Sequence, residues 1–102
     1  MPVYEVCVEV EPAAYAEYRA WLAAHVAEIL ALPGFLGADT FERLEPVADD
    51  GWPALCVQYR LVDDEALAAY LREHAPRLRA DGLARFGGRM RASRRVLRRV
   101  GD

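Results

Sequence analysis

Apolar and polar side chains alternate along the first ten residues of the chain. Within Val3–Val10 every second residue is apolar and most of the residues between are polar, which predicts a β-strand with one apolar and one largely polar face. Leu55–Leu61 has the same period of two and predicts another such strand. The apolar faces comprise Tyr4, Val6, Val8 and Val10 in the first case, and Leu55, Val57, Tyr59 and Leu61 in the other.

A long helix and a further strand are predicted between these two segments. Apolar residues recur at spacings of three and four over Ala13–Leu32, a helical pattern. Pro12 suits the first turn of that helix, and Pro33 with Gly34 ends it. Strand propensity then predicts a strand over Leu36–Glu45, whose inward face the pattern does not define. An Asp-Gly pair predicts that this strand and the next form a hairpin.

The second half of the chain follows the same order. Asp63 and Asp64 can cap a second helix that leads to His74, and Pro76 is expected to break or restart it. A further helical segment ends at Gly87-Gly88 and is interrupted by Gly82. Residues 89–100 have the length of a fourth strand, whose facing is ambiguous.

A short internal repeat supports this order of elements. The run AWLAAH at 20–25 returns as AYLREH at 69–74, and the same offset of 49 positions relates Cys7 to Cys56. One offset across a strand and a helix suggests two equivalent halves. We therefore expect a single α+β domain over residues 1–102: a ferredoxin-like βαββαβ sandwich with an antiparallel sheet of strand order 4-1-3-2 and its helices on one face.

The other face of that sheet is expected to be open and half polar. An antiparallel fourth strand would place Arg side chains beside Glu5 and Glu9 and form cross-strand charge pairs. Such a face is a natural place for a second subunit, so we expect a homodimer through it. The residues predicted to lie on this face are Glu5, Cys7, Glu9, Cys56, Gln58 and Arg60.

Several stretches of the sequence resemble a known family. The runs YEVCVEVEP, LALPGFLGAD, CVQYRL and AYLREHAPRLRADGLARFGGRMRASRRVL resemble the uncharacterised bacterial domain-of-unknown-function 4286 family, over essentially the whole chain and most specifically from Ala69 to Leu97. That family is similar in fold to the dimeric α/β barrels, which include antibiotic-biosynthesis monooxygenases and related cofactor-free enzymes. The resemblance implies a ferredoxin-like protomer that pairs sheet to sheet into a dimeric α/β barrel, and it supplies no catalytic residues.

Two aromatic and histidine pairs are the candidate site. Trp21 with His25, and Tyr70 with His74, each place the two rings one helical turn apart, where a neutral imidazole can act as a base. The same spacing is typical of positions packed between helix and sheet, and no carboxylate or Ser partner stands at a fixed spacing from either His. The predicted pocket comprises Trp21, Tyr70, Tyr4 and Tyr59, with His25 and His74 as candidate catalytic residues.

The two cysteines do not form a metal or disulfide motif. Neither Cys7 nor Cys56 belongs to a Cys-x-x-Cys pair, and two ligands are too few for structural zinc. We expect reduced, buried packing residues in the cytoplasm, with a redox pair or a thiol metal site as alternatives. No cofactor motif is present in the sequence, and we expect none to be bound.

Charge and hydropathy narrow the possible partners. The net charge is −3, with ten acidic residues and two Arg over 1–53 against six and eleven over 54–102. The seven arginines from Arg85 onward invite a nucleic-acid hypothesis, which the expected open face disfavours because it carries two acids and no aromatic side chain. No stretch resembles a secretion signal or a membrane span.

Three hypotheses about function follow from the sequence. The first is a small cytoplasmic homodimer that binds a small apolar or aromatic molecule. The second is an enzyme of the cofactor-independent monooxygenase or isomerase kind, with His25 or His74 as base. The third is a structural or protein-interaction module, which a filled core without a pocket near Trp21 and Tyr70 would favour.

Overall fold

A computed structural model describes residues 1–101. Its elements follow the predicted βαββαβ order, with the second helix divided in two. Short 3₁₀ turns precede the first helix and the last strand. The elements are β1 (Pro2–Val10), α1 (Tyr15–Leu30), β2 (Phe35–Glu42), β3 (Ala54–Leu61), α2 (Asp64–Glu73), α3 (Ala75–Phe86) and β4 (Met90–Arg98).

The four strands form one antiparallel sheet in the order β2-β3-β1-β4. This order is 4-1-3-2 read from the opposite edge, so the predicted ferredoxin-like fold is confirmed. Apolar side chains from one face of the sheet pack with apolar side chains of the three helices in one core. The opposite face of the sheet is left without a covering layer.

The register of β1 and β3 shows how the two halves of the internal repeat are arranged in space. Cys7 lies directly opposite Cys56, flanked by the pairs Val6–Val57 and Val8–Leu55. The two cysteines are also separated by 49 residues, the offset of the repeat. A local two-fold axis relating the halves therefore passes between Cys7 and Cys56.

Helix α1 is slightly shorter than the sequence predicts, and local contacts account for the helix ends. Pro12–Ala14 forms a 3₁₀ turn, so α1 begins at Tyr15. After α1, Gly34 adopts a φ of 88°, a conformation that suits glycine, and its carbonyl accepts a hydrogen bond from the Val62 amide (2.9 Å). Asp63 caps α2 by accepting a hydrogen bond from the Ala66 amide (2.8 Å), as expected of a helix N-cap.

The expectation that Gly82 interrupts the last helix was wrong. Gly82 lies inside α3 and is buried. Glycine weakens a helix by only about 1 kcal/mol relative to Ala, which the packing of α3 against the core can offset. The break predicted at Pro76 is confirmed: α2 ends at Glu73, and α3 begins at Ala75 with Pro76 in its first turn.

Strand pairing settles the facing of β2, which the sequence left undefined. Thr40 lies opposite the inward-facing Val57, whereas Phe41 lies opposite Cys56 on the open face. Directly opposed residues point to the same side of a sheet, so Phe41, which is 49% exposed, is an aromatic side chain on that face. The expectation of an open face without aromatic residues was therefore wrong.

Strand pairing likewise settles the facing of β4. Arg94 lies opposite Val6 and Val96 opposite Tyr4, so these residues face the helices. Arg91 and Arg95 lie opposite Glu9 and Glu5 and face the open side. The arginines of β4 are thus divided between the two faces of the sheet.

Charged pairs on the open face hold β4 against β1. Glu5 is only 5% exposed; its carboxylate accepts hydrogen bonds from Gln58 (2.9 Å) and from Arg95. These two hydrogen bonds, chiefly the one from Arg95, lower the pKa of Glu5. Glu9 accepts from Arg43 (2.6 Å) and Arg91 (3.1 Å), and its pKa is lowered in the same way, chiefly by Arg43.

The two cysteines are joined by a disulfide bond, which corrects the expectation of reduced thiols. The sequence placed both residues on the polar face of neighbouring strands but did not specify their register. In the structure the two residues lie directly opposite each other on adjacent antiparallel strands, with their Cα atoms 4.0 Å apart. Direct opposition of the two residues makes the bond possible.

Candidate ligand cavity

A partly open cavity of about 60 Å³ lies between the helices and the inner face of the sheet. Its walls come from β1, β3, β4, α1, α2 and α3. Five large aromatic side chains form much of the lining, with aliphatic residues between them, and three basic side chains also border it. The aromatic residues are Tyr4, Tyr18, Trp21, Tyr59 and Tyr70, and the basic residues are His25, Arg79 and Arg94.

The tyrosines of the sheet and of α2 pack together at one side of the cavity. The rings of Tyr4 and Tyr70 are 5.9 Å apart in an edge-to-face arrangement, and those of Tyr4 and Tyr59 are 6.2 Å apart. Phe35 contacts Tyr70 edge-to-face at 5.0 Å. Such aromatic pairs stabilise a core beyond simple burial. This side of the cavity is therefore held in place by several rings at once.

Trp21 forms the opposite wall. It stacks on His25, one turn further along α1, with ring centroids 4.4 Å apart and planes inclined by 20°. Phe86 meets the indole edge-to-face at 5.6 Å. A Cβ atom at Gly82 would be 3.3 Å from both Trp21 and Met90. The absence of a side chain at Gly82 thus lets the indole lie against α3.

His25 is the ionisable imidazole of this wall. Burial lowers the pKa of His25, and the nearby charges of Glu28 and Asp81 oppose that shift only in part. The imidazole is therefore neutral at physiological pH. A neutral imidazole on a cavity wall can accept a proton or a hydrogen bond from a bound molecule.

The buried tyrosines remain protonated. Burial raises the pKa of Tyr18 and of Tyr70 to about 12 each, and it also raises the pKa of Tyr59. In Tyr18 and Tyr70 the positive charge of Arg94 opposes this rise. The cavity therefore offers neutral phenol groups, which can donate or accept hydrogen bonds.

Two arginines that the sequence analysis did not select border the cavity. Arg79 extends from α3 and donates a hydrogen bond from Nη2 to the Tyr4 hydroxyl (3.0 Å), and Arg94 extends from the inner face of β4. Both residues are exposed, so this end of the cavity adjoins solvent. Arg94 interrupts the apolar inner face of β4, and this could have marked it in the sequence. The strand register is needed, however, to know which residues of β4 form that face.

The candidate residues from the sequence are only partly brought together. The predicted pocket residues Trp21, Tyr70, Tyr4 and Tyr59 line one cavity with His25. His74, within the described part of the chain, lies outside that lining, between α2 and α3, with its ring 6.5 Å from that of Tyr70. A binding or catalytic role for these residues stays a prediction.

The open face carries a separate, shallow groove of about 330 Å³ around the disulfide. Its lining combines ion-paired side chains with Phe41 and Pro46.

Over residues 1–101, no group of three or more His, Cys, Asp or Glu is arranged to hold a metal ion. Within the same residues, no helix has the length and apolar character needed to cross a bilayer.

Solved structures of other proteins share this fold. A candidate antibiotic-biosynthesis monooxygenase from Deinococcus radiodurans is 12% identical, with a TM-score of 0.75, covering 100% of this chain and 95% of that one. SnoaB, a cofactor-independent oxygenase from Streptomyces nogalater solved as a point mutant, is 16% identical, with a TM-score of 0.68 and coverage of 99% and 95%. The haem degrader MhuD from Mycobacterium tuberculosis, solved with two haems in its active site, is 23% identical, with a TM-score of 0.70 and coverage of 100% and 98%.

These likenesses define the fold class: the chain has the ferredoxin-like α+β fold found in these solved structures. At these levels of identity they establish the fold alone. The chain belongs to the family described as Domain of unknown function (DUF4286), whose model matches residues 1–100. No curated protein matches the sequence.

Proposed function

We propose that the protein is a homodimer that binds a small apolar or aromatic molecule in the cavity between helices and sheet. The observation that carries this proposal is the group of five large aromatic side chains around an internal space that adjoins solvent. Ligand sites are typically apolar and aromatic, with a few polar groups that fix orientation. Here His25, Arg79 and the tyrosine hydroxyls are the polar groups.

The cavity must widen to admit an aromatic ring. Its volume of about 60 Å³ has room for a few water molecules, whereas a cavity of about 150 Å³ accommodates benzene. Met90 and Trp21 both face the space beside Gly82. Methionine changes rotamer at little cost, so movement of Met90 is the simplest way to enlarge the site.

The homodimer is proposed to form through the open face of the sheet. The helices cover only the opposite face, and the open face presents Phe41 and Pro46 beside paired charges. A second copy would remove this mixed surface from water. Multi-angle light scattering at micromolar concentration is expected to give twice the mass of the chain, and a monomer would exclude this arrangement.

Native mass spectrometry of the protein purified from its own host directly tests both the homodimer and the binding of a small molecule. A dimer that retains a small molecule would support the proposal and reveal the chemical class of the ligand. Denaturing spectra of the same sample provide the control, because a noncovalent ligand is lost on unfolding. A dimer that is empty, and stays empty when incubated with the host's small-molecule extract, would contradict ligand binding.

An enzymatic role is the second candidate, favoured by one observation. His25 is held neutral in the wall of the cavity by burial, as a general base requires, and one protein of the same fold is a cofactor-independent oxygenase. If the retained molecule is turned over, His25→Ala is expected to abolish turnover, and His74→Ala to preserve it. Unchanged turnover in His25→Ala would exclude His25 as the base.

The remaining hypothesis, a structural or protein-interaction module, is less well supported. A filled core near Trp21 and Tyr70 would favour it, whereas both residues border a cavity. We therefore propose that the open face serves dimerisation and that the cavity serves binding.

We propose the cytoplasm as the location of the protein. The Cys7–Cys56 disulfide argues against this location, because reducing systems of the cytosol keep most thiols reduced. Alkylation of intact cells followed by mass spectrometry would measure the state of the pair. Recovery of the protein in the cytosolic fraction supports the proposed location, and recovery in an extracytoplasmic fraction would contradict it.

A further inference from the structure

Arg94 is a charged residue on the core side of β4. It lies opposite Val6, and the neighbouring positions on the same face are Ala92 and Val96. Arg98, also on this face, is neutralised by Asp64, whose two carboxylate oxygens accept hydrogen bonds at 3.0 and 2.9 Å. Arg94 has no carboxylate oxygen within 4.0 Å among the described residues. Among residues 1–101, therefore, no carboxylate pairs with the charge of Arg94 beside the cavity.

Arg79 is in the same situation on α3. Its neighbours on that helix are ion-paired, Arg77 with Glu28 and Arg85 with Glu17, both at 3.2 Å. Arg79 instead donates to the neutral Tyr4 hydroxyl (3.0 Å). Within residues 1–101 no carboxylate approaches its guanidinium within salt-bridge distance. Arg79 retains further N–H donors, because a guanidinium has five.

Among the residues described, the cavity lining supplies no counterion to these two positive charges. Of the residues described, none that lines the cavity is Asp or Glu. The tyrosines stay neutral there because burial raises the pKa of Tyr18 and Tyr70. Both guanidinium groups belong to exposed residues, so their charges are accessible to an anion that arrives from solvent. An anion entering at this end would meet both charges.

We infer that the molecule bound in this cavity is an anion, an aromatic or apolar carboxylate whose charged group is bound by Arg79 and Arg94 while its apolar part contacts the aromatic walls. This inference rests on the ligand-binding function proposed above. A guanidinium presents its donors in a planar fork that matches a carboxylate. The hydroxyl of Tyr4, fixed by Arg79, lies beside the same position.

Benzoate and benzamide are suitable probes, because they have nearly the same shape and differ in charge. The protein has two tryptophans, of which Trp21 borders the cavity and Trp52 lies against Arg91 at 4.1 Å. Trp52→Phe therefore leaves one fluorophore at the site, and Trp21→Phe is the control that leaves the distant one. Titration is carried to about 10 mM, enough to nearly saturate a site with a dissociation constant of about 1 mM.

The expected result is that benzoate changes the emission of Trp21 and binds at least about tenfold more tightly than benzamide, a difference of about 1.4 kcal/mol. In the same background, Arg94→Gln or Arg79→Gln should remove most of that preference. Arg99→Gln is the matched control, because it removes the same charge from an exposed residue outside the cavity lining. It should leave the preference for benzoate unchanged.

Each other outcome overturns a distinct part of the argument. Equal binding of the two compounds, or tighter binding of benzamide, would overturn the inference of an anion and leave the proposed binding of an aromatic molecule intact. A preference for benzoate that survives both Arg94→Gln and Arg79→Gln would overturn the assignment of these residues. If neither compound binds, the anion inference is wrong, and so is the proposed binding of aromatic molecules of this size.

Discussion

Gly82 on α3 lies directly against Trp21 on α1, so that a Cβ atom at Gly82 would be 3.3 Å from Cη2 of the indole. The cavity wall and the packing of these two helices therefore depend on the same glycine. Helices approach closely where one of them lacks a side chain, and the indole here fills the space that a larger residue would occupy.

Gly82→Leu is expected to destabilise the protein by about 1–3 kcal/mol, because the added atoms would collide with Trp21 and Met90, which already lie 3.3 Å from the position of a Cβ atom there. Urea denaturation measures this change in the free energy of unfolding. Gly88→Leu is the control, since a Cβ atom at Gly88 has no neighbour within 4 Å among the described residues. Equal stability of both variants would mean that Trp21 is not packed against α3.

The stability of the protein should depend on the protonation of His25. Because burial lowers the pKa of His25 in the folded state, the unfolded chain, with a pKa of about 6.5, binds the proton more tightly. Stability therefore falls as the pH decreases below about 6.5 and the unfolded chain becomes protonated. Urea denaturation at about pH 7.5 and about pH 5.5 should show this loss.

The two histidines provide their own comparison for that experiment. His25→Gln removes the titrating group and should reduce the loss of stability between the two pH values. His74→Gln should retain it, because His74 lies at the α2–α3 junction rather than in the cavity wall. The prediction is wrong if wild type and His25→Gln lose the same stability.

Glu5 is expected to stabilise the sheet as a carboxylate. Glu5→Gln removes a charge that accepts hydrogen bonds from Gln58 and Arg95, and a loss of about 1–3 kcal/mol is expected for a buried, charge-assisted contact. Because the folded-state pKa of Glu5 is lowered, this contribution is complete at neutral pH and is lost as the pH falls through that folded pKa. Thermal denaturation across the acid range measures both effects.

Asp49→Asn is the control for Glu5→Gln, because it removes one negative charge from an exposed loop residue. Asp49→Asn should leave the stability nearly unchanged at neutral pH. It should also retain the loss of stability at acid pH that protonation of Glu5 causes. If Glu5→Gln behaves in the same way, the contacts of Glu5 with Arg95 and Gln58 do not stabilise the sheet.

Reduction of the disulfide should lower the melting temperature. The bond joins residues separated by 49 positions, and loop-closure entropy for a loop of this size is worth about 4 kcal/mol at most. At about 4–8 °C per kcal/mol, a loss of even 2 kcal/mol lowers the melting temperature by about 8 °C or more. Calorimetry with and without a reductant measures the shift.

The double variant Cys7→Ala/Cys56→Ala is the control, since a reductant should not change its melting temperature. A thiol titration confirms that the wild-type sample passes from no free thiols to two. An unchanged melting temperature after complete reduction would show that the bond does not stabilise the fold.

The fold was predictable because local patterns agree with one another. The alternation in β1 and β3 defines which side chains face inward, and it places Tyr4 and Tyr59 on the same side of the sheet. Helical spacing and proline positions then define the order of elements. The strand order followed from that order of elements, because few topologies accommodate two βαβ units.

Features that depend on contacts distant in sequence were not predictable. The opposition of Cys7 and Cys56, and the placement of Phe41 on the open face, depend on register, and a slip of one residue reverses the facing of a strand. Arg79 and Arg94 lie on different elements and share no spacing pattern. The repeat suggested that His74 is equivalent to His25, but only His25 lines the cavity. The break at His74 is a local feature, and Pro76 predicted it.

The position of the disulfide on the local two-fold axis has a consequence for how such a chain can be assembled from two parts. Consider a half-length polypeptide that forms one βαβ unit and associates with an identical copy through its first strand. One cysteine at the position of Cys7 would then meet the same cysteine of the other copy, because residues related by 49 positions face each other only there. The disulfide within this single chain therefore has the geometry of a covalent link between two subunits.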